Sequence, residues 1–232
     1  MSYLTILVPQ GAEHQVVCKG INGAPNAKIQ VIGIPIGISS LKPFLKNKYP
    51  HWNPYLNRQV LLMGLCGSLH PDYGVGNIVL YETCIYETNQ VNQINCDVNL
   101  TKDIYKHLKD QAFLVRGVKG ITSDTVVSKF MEKGALHRKF GVDVVDMEGF
   151  GFLEFFQGTG ISTAILRVVS DDSTHNIPDL SKTINPNGSL EILPLLIALT
   201  QQPIAASHLI SGSLRGLKQL EKLARCLATW QQ

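Results

Sequence analysis

Short apolar runs rich in β-branched residues alternate along this chain with longer segments whose apolar positions recur every three or four residues. These are the periods of strands and of amphipathic helices. LTILV (4–8), IQVIGIPI (29–36), QVLLMGL (59–65), NIVLYETCIYE (77–87), AFLVRGV (112–118), VDVVDM (142–147) and STAILRVVS (162–170) read as strands. TKDIYKHLKDQ (101–111), TVVSKFMEKGALHRKF (125–140), EGFGFLEFFQGT (148–159) and the stretch 203–230 read as helices. In the last of these, Leu209, Leu214, Leu217, Leu220, Leu223 and Leu227 form one apolar face, as expected of a helix covering a sheet. The alternation predicts an α/β layered fold, and neither repeats nor low-complexity segments interrupt it.

Composition narrows the classes of function. A chain of 232 residues, 44% hydrophobic and 17% charged, is long enough for one sizeable core, and a single domain over 1–232 is expected. The formal charge of +3 is spread without a run of lysines or arginines, which gives no electrostatic reason to expect nucleic acid or an anionic membrane. Apolar stretches fall short of the roughly 20 residues a membrane span needs, and the first residues lack a basic signal-peptide region, so a soluble, cytoplasmic protein is expected. Five cysteines without a C-x-x-C pair argue for reduced, packing thiols, and the seven histidines show no ligand spacing, so no metal and no cofactor are implied. HWNPY (51–55) carries aromatics suited to a subunit interface or to the surface.

Three strands run into ionisable clusters: Gly11-Ala12-Glu13, Asp146-Met147-Glu148 and Ser170-Asp171-Asp172. Ligands of open α/β sheets sit beyond the carboxyl ends of strands, where backbone groups and helix N-termini converge, so these clusters are expected to meet. Arg167 interrupts the apolar run Ala164-Ile165-Leu166 and Val168-Val169 and requires a carboxylate partner, with Asp146 or Glu13 as candidates. A structural ion pair explains it as well as a functional one.

The paired segments DVVDMEGFGF (143–152) and, nineteen residues after Glu148, RVVSDDS (167–173) resemble the nucleoside phosphorylase and nucleosidase superfamily, most closely its 5′-methylthioadenosine/S-adenosylhomocysteine nucleosidase branch. MGLCGSL (63–69) resembles that family's glycine turn, and VGNIVLYETCIYE (75–87) the strand after it. The resemblance implies a three-layer α/β/α sandwich around a mixed, partly barrel-like sheet, and a homodimer or higher homo-oligomer. It implies a small-molecule nucleoside substrate. Residue by residue, it assigns Glu148 to the ribose hydroxyls, with Met147 under the sugar, and Asp171, oriented by Ser170, as the acid at N7 of the departing base. A carboxylate suits a diol because it accepts two hydroxyls at once, and protonating the base improves the leaving group. Glu13 matches the water-activating glutamate, with His14 as rival, and Arg167 lies beside that water. Val126 and Val127 stand where an aromatic residue and its neighbour usually face the base. Asp172 and Ser173 fit an Asx or helix-capping turn.

Departures from the family pattern separate the possible reactions. Phosphorylases hold phosphate with an arginine and a serine in the segment that here reads Leu62-Met63-Gly64-Leu65, and the absence of both argues for water as nucleophile. Leu65 also replaces a small polar residue. A hydrolytic purine nucleosidase acting on a 5′-substituted adenosine is therefore expected. The alternatives are a phosphorylase with an unfamiliar phosphate site at His70 or Lys119, and a nucleoside-binding relative without turnover.

Overall fold

The computed structural model describes residues 4–22, 29–48, 59–180, 183, 185, 187–189 and 191–230. HWNPY (51–55) and most of the 21–28 turn lie outside them. In chain order the elements are β1 (Leu4–Pro9), α1 (Ala12–Ile21), β2 (Ile29–Ile34), α2 (Ile38–Lys48), β3 (Gln59–Ser68), β4 (Ile78–Glu87), β5 (Val91–Asn95), α3 (Val98–Asp110), β6 (Val115–Thr122), α4 (Phe130–Phe140), β7 (Val144–Asp146), α5 (Gly149–Phe156), β8 (Ser162–Asp171), α6 (Ile192–Gln201) and α7 (Pro203–Leu227).

The described strands form one mixed sheet of eight. β3 gives one edge to β8 in parallel and divides the other between β1, parallel along residues 59–62, and β7, antiparallel at Gly67 and Ser68. β4 likewise gives one edge to β6 and divides the other between β8 and β5. Because β6 also pairs β7, strands β3, β8, β4, β6 and β7 close a ring, with β1 and β2 extending it on one side and β5 on another. This is the mixed, partly barrel-like sheet expected.

Strand alternation sorts the side chains of β8 into two layers. Ala164, Leu166 and Val168 pack with α1, α3 and α7, whose contributions include Val17, Ile104, Leu220 and Leu223. Ile165 and Val169 pack with α2 and α5 through Leu41, Leu45, Phe152 and Phe156. Arg167 shares the Ile165 face and is fully buried.

Four elements were not anticipated: α1, α2, β5 and α6. The helix read over 125–140 begins only at Phe130, since Lys129 is extended (φ −97°, ψ 130°), and the strand read over 112–118 lies at 115–122. MGLCGSL is not a turn. Gly64 and Gly67 lie inside β3, where they serve close approach rather than chain reversal. Among the described residues no single helix is long and apolar enough to cross a membrane; α6 and α7 together reach that composition only as a pair bent by 120°.

Candidate active site

The polar ends of β1, β7 and β8 meet at a cavity of about 160 Å³ whose wall includes Glu13, Leu65, Val126, Val127, Met147, Glu148, Ser170 and Asp171. The residues that the resemblance assigned to the site therefore face one space except Arg167, which lies behind it, and the rivals His14, His70 and Lys119, which do not line it. A neighbouring cavity of about 230 Å³ shares Ile36, Val126 and Met147 and continues past Gly37, Ser39 and Asn185.

Arg167 explains the rear wall. Its Nη2 donates to Asp146 Oδ2 at 2.9 Å and to Glu148 Oε2 at 3.0 Å. Of the two partners the sequence offered, Asp146 is bonded, and Glu148 takes the second place. To reach β7 from β8 the side chain passes over β3 at Gly64, its register partner. A Cβ on residue 64 would lie 2.3 Å from Arg167 Nη1 and 2.5 Å from Glu13 Oε2, so only glycine leaves room. Asp146 is fixed further by Thr122 Oγ1 at 2.8 Å and the Gly149 N–H at 3.1 Å, and Glu148 Oε1 accepts the Gly37 N–H at 2.9 Å. Burial pushes the Glu148 carboxyl up, against the pull of Arg167. Burial also opposes the charge on Arg167, but Asp146 and Glu148 more than compensate and push it above its ordinary value.

Glu13 stands in the first turn of α1, after Gly11, whose φ of 104° lets the chain turn sharply out of β1. Its Oε2 accepts the Leu65 N–H at 2.6 Å. The backbone thus holds Glu13 whatever side chain residue 65 carries, and the substitution by leucine leaves that contact intact. Burial, opposed by Arg167 and reinforced by Glu148, pushes the Glu13 carboxyl up to about 7. His14, the rival, is turned to Cys18 (Nε2 to Sγ 3.4 Å) and does not line the cavity.

Asp171 owes its aim to a bulge. Cys66 pairs with Val169 and Gly67 with Asp171, so Ser170 is the extra residue, which redirects the side chain that follows it. The Ser170 hydroxyl is within reach of both Cys66 O (3.2 Å) and Asp171 Oδ1 (3.0 Å), and it shares its one proton between them. Asp171 Oδ2 accepts from Lys133 Nζ, which also donates to Asp172 O at 2.6 Å. Lys133 is fully buried and was not anticipated. The available signal was its place on the α4 stripe with Leu136 and Phe140, which pack inward at the spacing of one helix face.

Asp172 closes a turn, its Oδ1 accepting the N–H groups of Thr174 and His175 at 2.9 Å each. Burial would raise its carboxyl, but these bonds and the His175 ring outweigh it and hold it at about 2. That is the Asx turn of the two readings the sequence allowed, since no helix begins directly after it among the described residues. Val126 and Val127 line the cavity from the extended stretch before α4. His70, beside His137 and Asp72, and Lys119, in β6, do not line it. The three buried thiols, Cys66, Cys84 and Cys96, are unpaired, and burial pushes each of them up.

Residues 55–185 match the family model described as the phosphorylase superfamily. No curated protein matches the chain. Among solved structures, the native futalosine hydrolase of Helicobacter pylori superposes with a TM-score of 0.67 at 14% identity, covering 96% of this chain and 97% of that one. The 5′-methylthioadenosine/S-adenosylhomocysteine nucleosidase of H. pylori, bound to butyl-thio-DADMe-Immucillin-A, gives 0.66 at 16% identity over 96% and 97%. The corresponding nucleosidase of Campylobacter jejuni gives 0.64 at 14% over 95% and 99%. At these identities the likeness is one of fold.

Proposed function

The chain belongs to the phosphorylase superfamily, and from that premise we propose that its cavity hydrolyses the N-glycosidic bond of a 5′-substituted adenosine such as methylthioadenosine or adenosylhomocysteine. The observation that carries this reading is Glu13: a carboxyl on the cavity wall, held by one backbone N–H and pushed up to about 7. A general base works best when its proton affinity lies near the working pH.

Each residue then has a task. Glu148, anchored by Arg167 and the Gly37 N–H, accepts the ribose hydroxyls, and Met147 packs beneath the sugar. Val126 and Val127 bound the base with apolar surface. Asp171, aimed by the bulge and by Ser170, serves N7 of the purine. As the C1′–N9 bond breaks, its electron pair enters the base, which gains a proton at N7. Water bonds to C1′ from the side of Glu13, which takes its proton. The logic parallels glycoside hydrolysis, in which one carboxyl serves the leaving group and another the water.

The charge balance supports water over phosphate. Among the described residues four carboxyl groups (Glu13, Asp146, Glu148, Asp171) gather here with two cations (Arg167, Lys133), and each cation is already ion-paired. Among the described residues that line the cavity there is no lysine or arginine, so a phosphate dianion would meet acidic groups there without a facing cation for the charge-assisted contacts it depends on. The solved structures with this fold include nucleosidases and a hydrolase by name.

The test is release of free base from a panel of methylthioadenosine, adenosylhomocysteine and futalosine in phosphate-free buffer. We expect free sugar as co-product, no acceleration by added phosphate, and a loss of about 10²–10⁴-fold in Asp171→Asn. A sugar phosphate formed only when phosphate is present would overturn the reading.

A further inference from the structure

Lys133 is the one residue of α4 whose side chain is wholly withdrawn from solvent, and the hydrolytic scheme above gives it no task. Its position is built rather than incidental. The start of α4 is tied to the segment after β8 at two points: Phe130 N–H donates to Asn176 Oδ1 at 2.9 Å, and Ile177 N–H donates to Ser128 O at 2.9 Å. These ties bring the fourth residue of the helix against the Asp171-Asp172 peptide. There the Lys133 Nζ donates to Asp171 Oδ2 and to Asp172 O.

The consequence for Asp171 is chemical. Its Oδ2 accepts from Lys133, and its Oδ1 lies within reach of the Ser170 hydroxyl, whose one proton is shared with Cys66 O. Paired with an ammonium, which donates and cannot accept, Asp171 is held as a carboxylate, an acceptor with no proton of its own to give. The base must nevertheless leave with one. Of the two groups touching Asp171, an alcohol is far the weaker acid, which leaves the ammonium. As a purely structural device the pair would be a poor choice: a buried ion pair adds little over apolar packing, and Leu136 and Phe140 extend the same stripe.

We propose that Lys133 is the proton source for the leaving base, acting through Asp171 as a positioning residue that never touches the substrate. One proton leaves Lys133 Nζ, passes through the Asp171 carboxylate and ends on the purine nitrogen as the C1′–N9 electron pair moves into the base. The lysine is left neutral. The proton that water loses resides on Glu13, and exchange with solvent through the open cavity returns both groups to their starting forms. Atoms and charge balance as nucleoside plus water giving free sugar and neutral base.

This inference rests on the nucleosidase reading, and the experiment separates the two. Wild type, Lys133→Met and Lys133→Arg are assayed with the nucleoside that wild type turns over and with a 4-nitrophenyl riboside, whose leaving group departs without a proton. For Lys133→Met we expect kcat on the nucleoside to fall about 10²-fold or more, the usual worth of general-acid assistance, with little change in KM. Hydrolysis of the nitrophenyl riboside should stay within about threefold, which also certifies that the variant folds and that Glu13 still works. Lys133→Arg retains the charge but cannot release a proton, so it should fail on the nucleoside as Lys133→Met does. Full activity of Lys133→Arg, or an equal loss on both substrates, assigns Lys133 to structure alone and overturns the proposal. If wild type releases base and both variants match it, only this inference falls. If wild type releases none from any nucleoside, the nucleosidase reading falls and takes the proton route with it.

Discussion

In the proposed reaction Glu13 couples chemistry to stability through a single carboxyl. Its proton affinity, raised to about 7 by burial, means that the ionised form accumulates as pH rises through 7, and if Glu13 is the proposed base kcat/KM should climb over the same interval. Glu13→Gln keeps an acceptor for the Leu65 N–H but cannot take a proton, so hydrolysis should fall about 10²–10⁴-fold. The same shift acts on folding. Between 4.5, the ordinary value, and about 7 the folded state binds more protons at this site than the unfolded chain, so the site's contribution to stability declines as pH rises across that window and levels off above it. The melting temperature of Glu13→Gln relative to wild type should therefore rise from pH 4.5 to 7 and then stay constant; a difference that does not depend on pH would contradict the assigned proton affinity. Glu13, Glu148 and Asp171 could be read as candidates from the sequence because each lies in an ionisable cluster at the end of a strand and matches a family motif, and the structure brings the three to one cavity. Lys133 could not, because a lysine in a helix ordinarily reaches water, and only the docking of α4 against residues 172–177 denies it that route.

Elements, rather than single side chains, set where these groups point. α1 carries Glu13 in its first turn and lies against α7 at Gly20, where a Cβ would come within 2.6 Å of both Ala224 Cβ and Glu221 O. Gly20→Val should wedge the two helices apart at a cost of about 1–3 kcal/mol, as overpacking does, and shift Glu13 at the other end of the helix. Thermal melts should record the destabilisation. Steady-state kinetics should record a kcat loss larger than that of a surface glycine such as Gly74, at which a Cβ meets nothing within 4 Å. Retention of full activity would mean that α1 pivots without moving its first turn. Three of the elements that escaped the sequence reading did so for separate reasons. α6, ILPLLIALTQ, is apolar until Thr200 and has no period to read; α2 carries Pro43 in its interior; β5, VNQIN, is a short edge strand of mostly polar residues. The Ser170 bulge was equally invisible, since it depends on the register β8 adopts against β3.

At the scale of the whole molecule, the closed ring of strands makes a buried arginine tolerable. Arg167 leaves β8, crosses β3 at Gly64 and reaches Asp146 on β7, a strand that is not its neighbour, so its two ion pairs join the ring across its curved face. Both carboxylates are nearly sealed from solvent, at 1% and 5% side-chain exposure, and removing the cation leaves them without compensation. Breaking such a pair costs about 3–5 kcal/mol, against a total stability of roughly 5–15 kcal/mol for a typical domain. Arg167→Met should therefore lower the melting temperature by roughly 6–20 °C, at about 2–4 °C per kcal/mol for a chain of this size. Adding Glu148→Gln to Arg167→Met should recover part of that loss, because one of the two stranded charges disappears, and the shortfall from additivity measures the coupling. Neither change should restore catalysis, since Glu148 is the proposed acceptor of the sugar hydroxyls. A single substitution that leaves the melting temperature unchanged would mean that Asp146 and Glu148 are neutralised without Arg167, and that the ring closes on packing alone.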